Sequence, residues 1–226
     1  MTAFISDIHG NLPALEAVLE EIDKLGCGQV ICLGDICGYY CMVNECIEVL
    51  RKRKARCLLG NHDYYMTGGK RCDSKTVNLC IDFQRGIITD PNLAWLRSLT
   101  PRYDTELYSL RHGGWNDPLE ERIKKFDFGT VLDYEQKLFL SGHTHVQRLD
   151  VWDDRTYCNP GSVGQPRDGD ARAAFAVLDE ELKIHLYRVE YDIDRIAYEM
   201  KRQALGEWIW KWLYEGKRIG GQDDSI

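Results

Sequence analysis

The sequence predicts an α/β fold built around a parallel sheet. Three observations carry this expectation. Short, nearly continuous apolar runs alternate with stretches of helical periodicity through residues 3–59. Each apolar run closes in a turn rich in Gly, Asp or Asn. Histidines and carboxylates gather in those turns, where open α/β sheets present their ligands.

The elements follow in order. Residues 3–6 form a first apolar run, ending in Asp7-Ile8-His9-Gly10-Asn11. Residues 12–25 then place Leu12, Leu15, Val18, Leu19, Ile22 and Leu25 on one helical face, and Gly26 stops the helix. A second strand, 29–33, closes in Gly34-Asp35. A second helix covers 43–50, and a third strand, 55–59, closes in Gly60-Asn61-His62-Asp63. Apolar strands with little alternation are expected in a sheet covered on both faces. Residues 75–99 read as two helices, the second starting at Asp90-Pro91. A strand at 106–110 leads to His112, a helix is predicted at 118–126, and a strand at 137–140 leads to Gly142-His143-Thr144-His145. The remainder is β-rich, at 148–152, 156–158, 172–178 and 183–191, the last two joined as a hairpin by an acidic turn. Helix over about 193–214 closes the pattern. It contains Trp208, Trp210 and Trp212, whose alternation does not fit one helical face. No repeat, linker or low-complexity stretch interrupts the 226 residues, so a single domain over 1–226 is expected.

The formal net charge of -7 disfavours nucleic acid as a partner. No run approaches the length of a membrane span. The opening MTAFISDIHGN lacks the basic stretch and long apolar run of a secretion signal, so a cytoplasmic location is expected. The nine cysteines then read as reduced thiols. Cys37, Cys41 and Cys46 lack the paired CxxC spacing of a zinc knot.

Five of the six histidines lie directly after predicted strands, and the sixth, His185, sits in the hairpin without an assigned role. Any one of them alone would read as an ordinary core residue; five beside Asp, Asn or Gly would not. Imidazole together with carboxylate oxygen suits Mn, Fe, Zn, Ni or Co, whereas Mg and Ca prefer all-oxygen shells. Strand periodicity would point Asp7 with His9, and His143 with His145, into one pocket. Asp7, His9, Asp35, Asn61, His112, His143 and His145 are too many donors for one ion. Two ions sharing one carboxylate would use them all.

These residues carry a resemblance. SDIHGN at 6–11, GDICGYY at 34–40 with Asn44-Glu45, GNHD at 60–63, HGGWNDPLEE at 112–121, GHTH at 142–145 and NPGSVGQPRDGD at 159–170 resemble the calcineurin-like metallophosphoesterases. The small bacterial and archaeal phosphodiesterase and diadenosine-tetraphosphatase-like branch is the most similar. The likeness runs from Phe4 to about Tyr191. It implies a four-layer sandwich of two mixed sheets flanked by helices. It also implies one ion on Asp7, His9, Asp35 and His145, a second on Asp35, Asn61, His112 and His143, and an unligated His62 facing a small phosphorylated substrate.

The expected activity is hydrolysis of a phosphate ester. Two ions, Mn²⁺ first among the candidates, would clamp the phosphoryl oxygens and lower the pKa of a bridging water, with His62 as general acid. Asp63 either braces the site or caps the helix after its turn. Arg167 is a candidate phosphate clamp, and Asn11 and Tyr39 are candidate substrate contacts beside the ligands. Asn159-Pro160-Gly161-Ser162 is expected to buttress the site. The loops at 64–76 and 111–121 are expected to wall the pocket.

The chain departs from the family pattern in three places. Gly38-Tyr39 stands where the protein phosphatases carry an Asp-Arg pair, which counts against a phosphoprotein substrate. Tyr40-Cys41 replaces a usual Gly-Pro, and Gly114-Trp115 a usual Ser-Pro. Phosphomonoesterase activity and a non-catalytic scaffold of the same fold are the competing readings. The intact His62 and ligand set weigh against the scaffold.

Overall fold

The computed structural model describes residues 1–222. The first half runs β1 (Thr2–Ile5), α1 (Leu12–Lys24), β2 (Gln29–Cys32), α2 (Val43–Lys52), β3 (Arg56–Cys57), α3 (Asn61–Met66), α4 (Lys75–Ile87) and α5 (Asp90–Arg97). Then follow β4 (Arg102–Asp104), β5 (Tyr108–Arg111), a 3-10 turn (Phe128–Val131), β6 (Leu138–Leu140), β7 (Arg148–Trp152), β8 (Arg155–Asn159), β9 (Ala173–Leu178) and β10 (Ile184–Val189). The helices α6 (Ile193–Arg202) and α7 (Glu207–Trp210) and a 3-10 turn (Lys211–Glu215) complete the described elements.

Ten strands form two five-stranded mixed sheets, β10-β9-β1-β2-β3 and β4-β5-β6-β8-β7. The expectation of a parallel sheet holds only for β1-β2-β3 in the first sheet and β5-β6-β8 in the second. β1, β2 and β3 are parallel because helices α1 and α2 supply the crossovers. β9 and β10 are joined by a tight turn, in which Asp179 donates its N–H to the Lys183 carbonyl, and a turn that short makes the pair antiparallel. The two mixed sheets implied by the family resemblance are what forms.

Side-chain alternation sorts the core into layers. Phe4, Ile31 and Leu33 from one sheet meet Leu110, Leu138, Leu140 and Cys158 from the other. The opposite face of the first sheet, with Ala3, Ile5, Cys32 and Phe175, packs against α1, α2, α4 and α6. The outer face of the second sheet, with Phe139 and Tyr157, is covered by Trp115, Ile123, Phe126 and Val131. In this cover an expected helix is absent. Residues 118–126 form no helix. The Glu121 carboxylate accepts hydrogen bonds from the backbone N–H groups of Asn116 and Asp117, and Asp117 accepts from Leu119 and Glu120. Such side chain-to-backbone bonds compete with helical ones.

The C-terminal helix also breaks. Ala204 is left-handed (φ 55°) and Gly206 caps α7. All three tryptophans follow the break, Trp208 and Trp210 in α7 and Trp212 in the 3-10 turn after it, with Trp210 buried and Trp208 exposed. No helix among the described residues is long and apolar enough to cross a membrane.

Candidate active site

Five strand ends deliver the site. β1, β2 and β3 of one sheet lead into residues 6–11, 34–40 and 60–63, and β5 and β6 of the other lead into 112–114 and 141–145. The loops are laced together. Asp7 donates its N–H to the Gly34 carbonyl (3.0 Å), Ile8 donates to the Asp35 carbonyl (2.8 Å), and Gly142 donates to the His112 carbonyl (2.9 Å). The 159–162 turn buttresses them as expected. Ser162 Oγ donates to the Asp7 carbonyl (2.7 Å), and Asn159 Nδ2 donates to the Gly142 carbonyl (2.7 Å).

The backbone reason for the convergence differs from the one the sequence suggested. Asp7, His9, Asp35, His143 and His145 are not extended; all five have φ between 54° and 66°. Left-handed backbone is uncommon for side-chain-bearing residues and clusters at functional sites. Two glycines make room for it. A Cβ on Gly38 would lie 2.2 Å from His9 Nδ1, and one on Gly60 would lie 2.1 Å from Asp35 Oδ1. The side chain of an Asp at position 38 would therefore collide with His9.

The seven predicted donors are brought together and buried. Asp7, His9 and His145 form one group, and Asp35, His112 and His143 form another, each with its donor atoms within 4.8 Å. His145 Nε2 lies 3.3 Å from Asp7 Oδ1 and 3.1 Å from His9 Nε2. His112 Nε2 lies 3.4 Å from Asp35 Oδ1 and 3.0 Å from Asn61 Oδ1. Asp35 faces both groups, its Oδ2 being 3.8 Å from His9 Nε2. The HxH pair is split between the groups, because each left-handed residue redirects its side chain.

The chemistry of this donor set fits divalent cations. The Nδ1 atoms of His9, His112 and His145 lie 2.8, 2.9 and 2.7 Å from the carbonyls of Cys37, Leu33 and Gln165. A proton held there leaves Nε2 as the lone-pair donor, the usual outer support of a metal-bound imidazole. Burial pushes the pKa of His9, His143 and His145 well down, so these rings are neutral. The Nε2 lone pairs of His9 and His145 then face each other and the Asp7 carboxyl, acceptors against acceptors. Asp7 Oδ1 and His143 Nε2, one in each group, are buried without a hydrogen-bond partner among the described residues. Such atoms are rare without an ion or water to satisfy them.

Burial raises Asp7 to about 7. Burial would lower His112, but the Asp35 carboxylate beside it raises it to about 9. Burial would raise Asp35, but the charges of His112 and His62 hold it below the ordinary carboxylate range.

Metal loading should therefore stabilise the fold. At a hundredfold excess over its dissociation constant, a bound ion adds about 2.7 kcal/mol. For a chain of this size that corresponds to roughly 5–10 °C. Thermal unfolding with Mn²⁺ against EDTA measures it, and coincident curves would show that these donors hold no ion.

The family model for the calcineurin-like phosphoesterase superfamily domain matches residues 1–183. The chain belongs to this superfamily. An uncharacterised Methanocaldococcus jannaschii protein, MJ0912, is 34% identical over 243 aligned positions, covering 96% of this chain and 98% of its own length. The Escherichia coli phosphodiesterase YfcE is 30% identical over 181 positions, covering 79% and 87%. Among solved structures, a Sphaerobacter thermophilus metallophosphoesterase superposes with TM-score 0.82 at 30% identity, covering 95% of this chain and 98% of that one. The Pyrococcus horikoshii protein PH1004 shares the fold, with TM-score 0.84 at 22% identity over 96% and 100%. The chain is a metal-dependent phosphoester hydrolase.

The remaining predicted residues of this phosphoesterase fall as follows. His62 is buried in the same centre, with Nε2 4.0 Å from Asp35 Oδ2. Unlike His9, His112 and His145, its Nδ1 has no hydrogen-bond partner. Its ring packs between those of His9 (4.7 Å between centroids) and Tyr39 (4.9 Å). Asp63 does not hold His62. Its carboxylate accepts from the backbone of Gly60 (2.9 Å) and Cys37 (2.8 Å), capping α3 and tying two ligand loops together. Asn11 lies away from the cleft: it caps α1 through Ala14 and donates to the Gly164 carbonyl. Tyr39 and Arg167 do line the cleft, and Arg167 donates to the Tyr39 hydroxyl (3.1 Å).

That cleft, about 330 Å³, opens beside Asn61 and His62. Its walls include Ser74, Thr76 and Glu120; they fall in the two segments expected to build it, but 64–76 is not all loop, since it holds the end of α3 and the start of α4. The sequence reading missed Tyr65, Arg122 and Arg218. Tyr65 accepts from Asn61 Nδ2 (3.3 Å) and donates to Glu120 Oε1 (2.5 Å), so it orients the Asn61 amide. Only its place four residues after Asn61 on a helix could have signalled this.

Proposed function

We propose that this phosphoesterase uses two divalent ions, Mn²⁺ first, to hydrolyse a small phosphodiester or a nucleotide or dinucleoside polyphosphate. The observation that supports two ions is the pair of buried donor groups on either side of Asp35. Asp7, His9 and His145 would hold one, Asn61, His112 and His143 the other, and Asp35 would serve both. When bound, such ions supply Lewis acidity toward phosphoryl oxygens and activate water at neutral pH.

The protein's own part is positioning and proton transfer. Carbonyls fix the tautomers of three ligand imidazoles. Tyr65 turns the Asn61 oxygen toward the donor group of His112. His62, without an anchoring carbonyl, delivers a proton to the leaving oxygen. Burial depresses its pKa to about 4 against the pull of Asp35, with Arg167 and His112 adding to the depression. An arriving anionic phosphate acts the other way and restores its hold on the proton.

The likeness to a phosphodiesterase favours a diester, and the missing Asp-Arg pair disfavours phosphoproteins. All nine cysteines are unpaired thiols, which suits a reducing cytoplasm. The test is hydrolysis of bis-p-nitrophenyl phosphate against p-nitrophenyl phosphate by protein stripped of metal and reloaded with Mn²⁺. Metal-dependent turnover faster on the diester is expected. A faster monoester would reassign the substrate class, and no turnover with Mn²⁺, Fe²⁺, Ni²⁺ or Zn²⁺ would sink the proposal.

A further inference from the structure

Gln84 is a fully buried polar side chain on α4, about two turns beyond Thr76 and Val77, which line the cleft. Its amide spans the second ligand loop. Oε1 accepts the Gly38 N–H (2.8 Å), and Nε2 donates to the Tyr40 carbonyl (2.5 Å). These partners fix which end of the amide is oxygen, because an N–H needs an acceptor and a carbonyl needs a donor. Gly10 leaves room for the contact. A Cβ there would lie 2.7 Å from the Tyr40 carbonyl oxygen and 3.0 Å from Gln84 Nε2.

The backbone that Gln84 holds is the wall against which the His62 ring rests. A Cβ on Gly38 would lie 2.8 Å from His62 Nδ1. Tyr39, between the two bonded positions, packs its ring on His62 (4.9 Å between centroids) and on His9 (4.7 Å). The next residue of α4 grips the other side. Arg85 donates to the carbonyl of Tyr65 (2.5 Å), in the helix α3 that carries His62. α4 therefore braces both the helix from which the ring projects and the loop on which it leans. His62 Nδ1 has no partner among the described residues, so packing sets the direction of the ring. The position of the wall then decides where the ring points.

We propose that Gln84 is a positioning residue for proton transfer: it fixes Gly38, Tyr39 and Tyr40 as the wall that aims His62 at the leaving oxygen. This rests on the phosphoesterase reading above, with His62 as the acid. Without the amide, the Gly38 N–H and the Tyr40 carbonyl lose their buried partner, which is costly enough to move the loop. The proposed metal donors are braced separately. Cys37, whose carbonyl faces His9 Nδ1, is tied to Asp63 (2.8 Å).

The test is Gln84→Met, which keeps the length of the side chain and removes both hydrogen bonds. Gln84→Asn, which keeps the amide and shortens its reach, is run beside it. Metal content is expected to match the wild type. Phenolate is a more basic leaving group than p-nitrophenolate and depends more on the acid, so kcat should fall about 10²-fold on diphenyl phosphate and only about tenfold on bis-p-nitrophenyl phosphate. In a His62→Ala background the same change should cost less than about twofold on the nitrophenyl ester, since the group it aims is gone. Equal losses on the two esters, an undiminished loss in the His62→Ala background, or unchanged turnover would overturn the positioning role and leave the hydrolase standing. Failure of both variants to fold would overturn it too, making Gln84 a stability residue. No turnover of the diester by wild-type protein would instead remove the reading beneath, and this role with it.

Discussion

Asp35→Asn is expected to abolish metal-dependent turnover, lowering kcat/KM by at least about 10³-fold. Among the described residues, Asp35 is the one carboxylate that faces both donor groups. Its Oδ1 also accepts the backbone N–H of His62 (2.8 Å), so the same side chain holds the neighbouring ligand loop. An amide removes the negative charge and replaces one acceptor oxygen by a donor, which would be aimed at His9 or at the His112 side. Metal content separates the consequences. The variant should retain at most one ion per chain by elemental analysis, against two in the wild type. Full occupancy with intact turnover would remove Asp35 from the bridging position.

His62→Ala is expected to leave metal content unchanged and to cost about 10²- to 10⁴-fold in kcat. The distinction from Asp35 is in the surroundings of the ring. His9, His112 and His145 are each braced by a carbonyl, as their proposed ligand role requires, whereas among the described residues His62 Nδ1 has no partner and the ring sits at the cleft. Its distance from Asp35 does not by itself set it apart from the ligands, since His9, Asp35 and His62 also lie close enough together to share an ion. The metal count therefore decides: an alanine variant that loses an ion as well as turnover would make His62 a ligand rather than an acid.

Much of this site was legible in the residue string because strand ends in an α/β fold share one edge, so histidines placed after apolar runs must meet. What periodicity could not supply was the geometry of the meeting. The five left-handed residues are set by loop-to-loop hydrogen bonds, such as Ile8 to the Asp35 carbonyl, between segments far apart in sequence. Asn11 sits beside two proposed ligands in the chain, yet its side chain serves a helix end instead of the cleft. The helix expected at 118–126 failed because Asp117 and Glu121 satisfy the local backbone themselves. Arg122 and Arg218 carry no motif, and only the folding of the segment after the last 3-10 turn against the cleft brings the second of them there.

The donor groups straddle the two sheets. Asp7, His9, Asp35 and Asn61 come from the ends of the first, and His112, His143 and His145 from the second. With the proposed ions bound, each group would act as a rivet through both layers, and the layer of Phe4, Ile31, Leu33, Leu110 and Leu140 between them would be its spacer. The separation of the two riveted points is then a property of hydrophobic packing well behind the chemistry. Side chains in that spacer are part of the tolerance to which the catalytic centre is machined, although none of them is polar and none reaches the cleft.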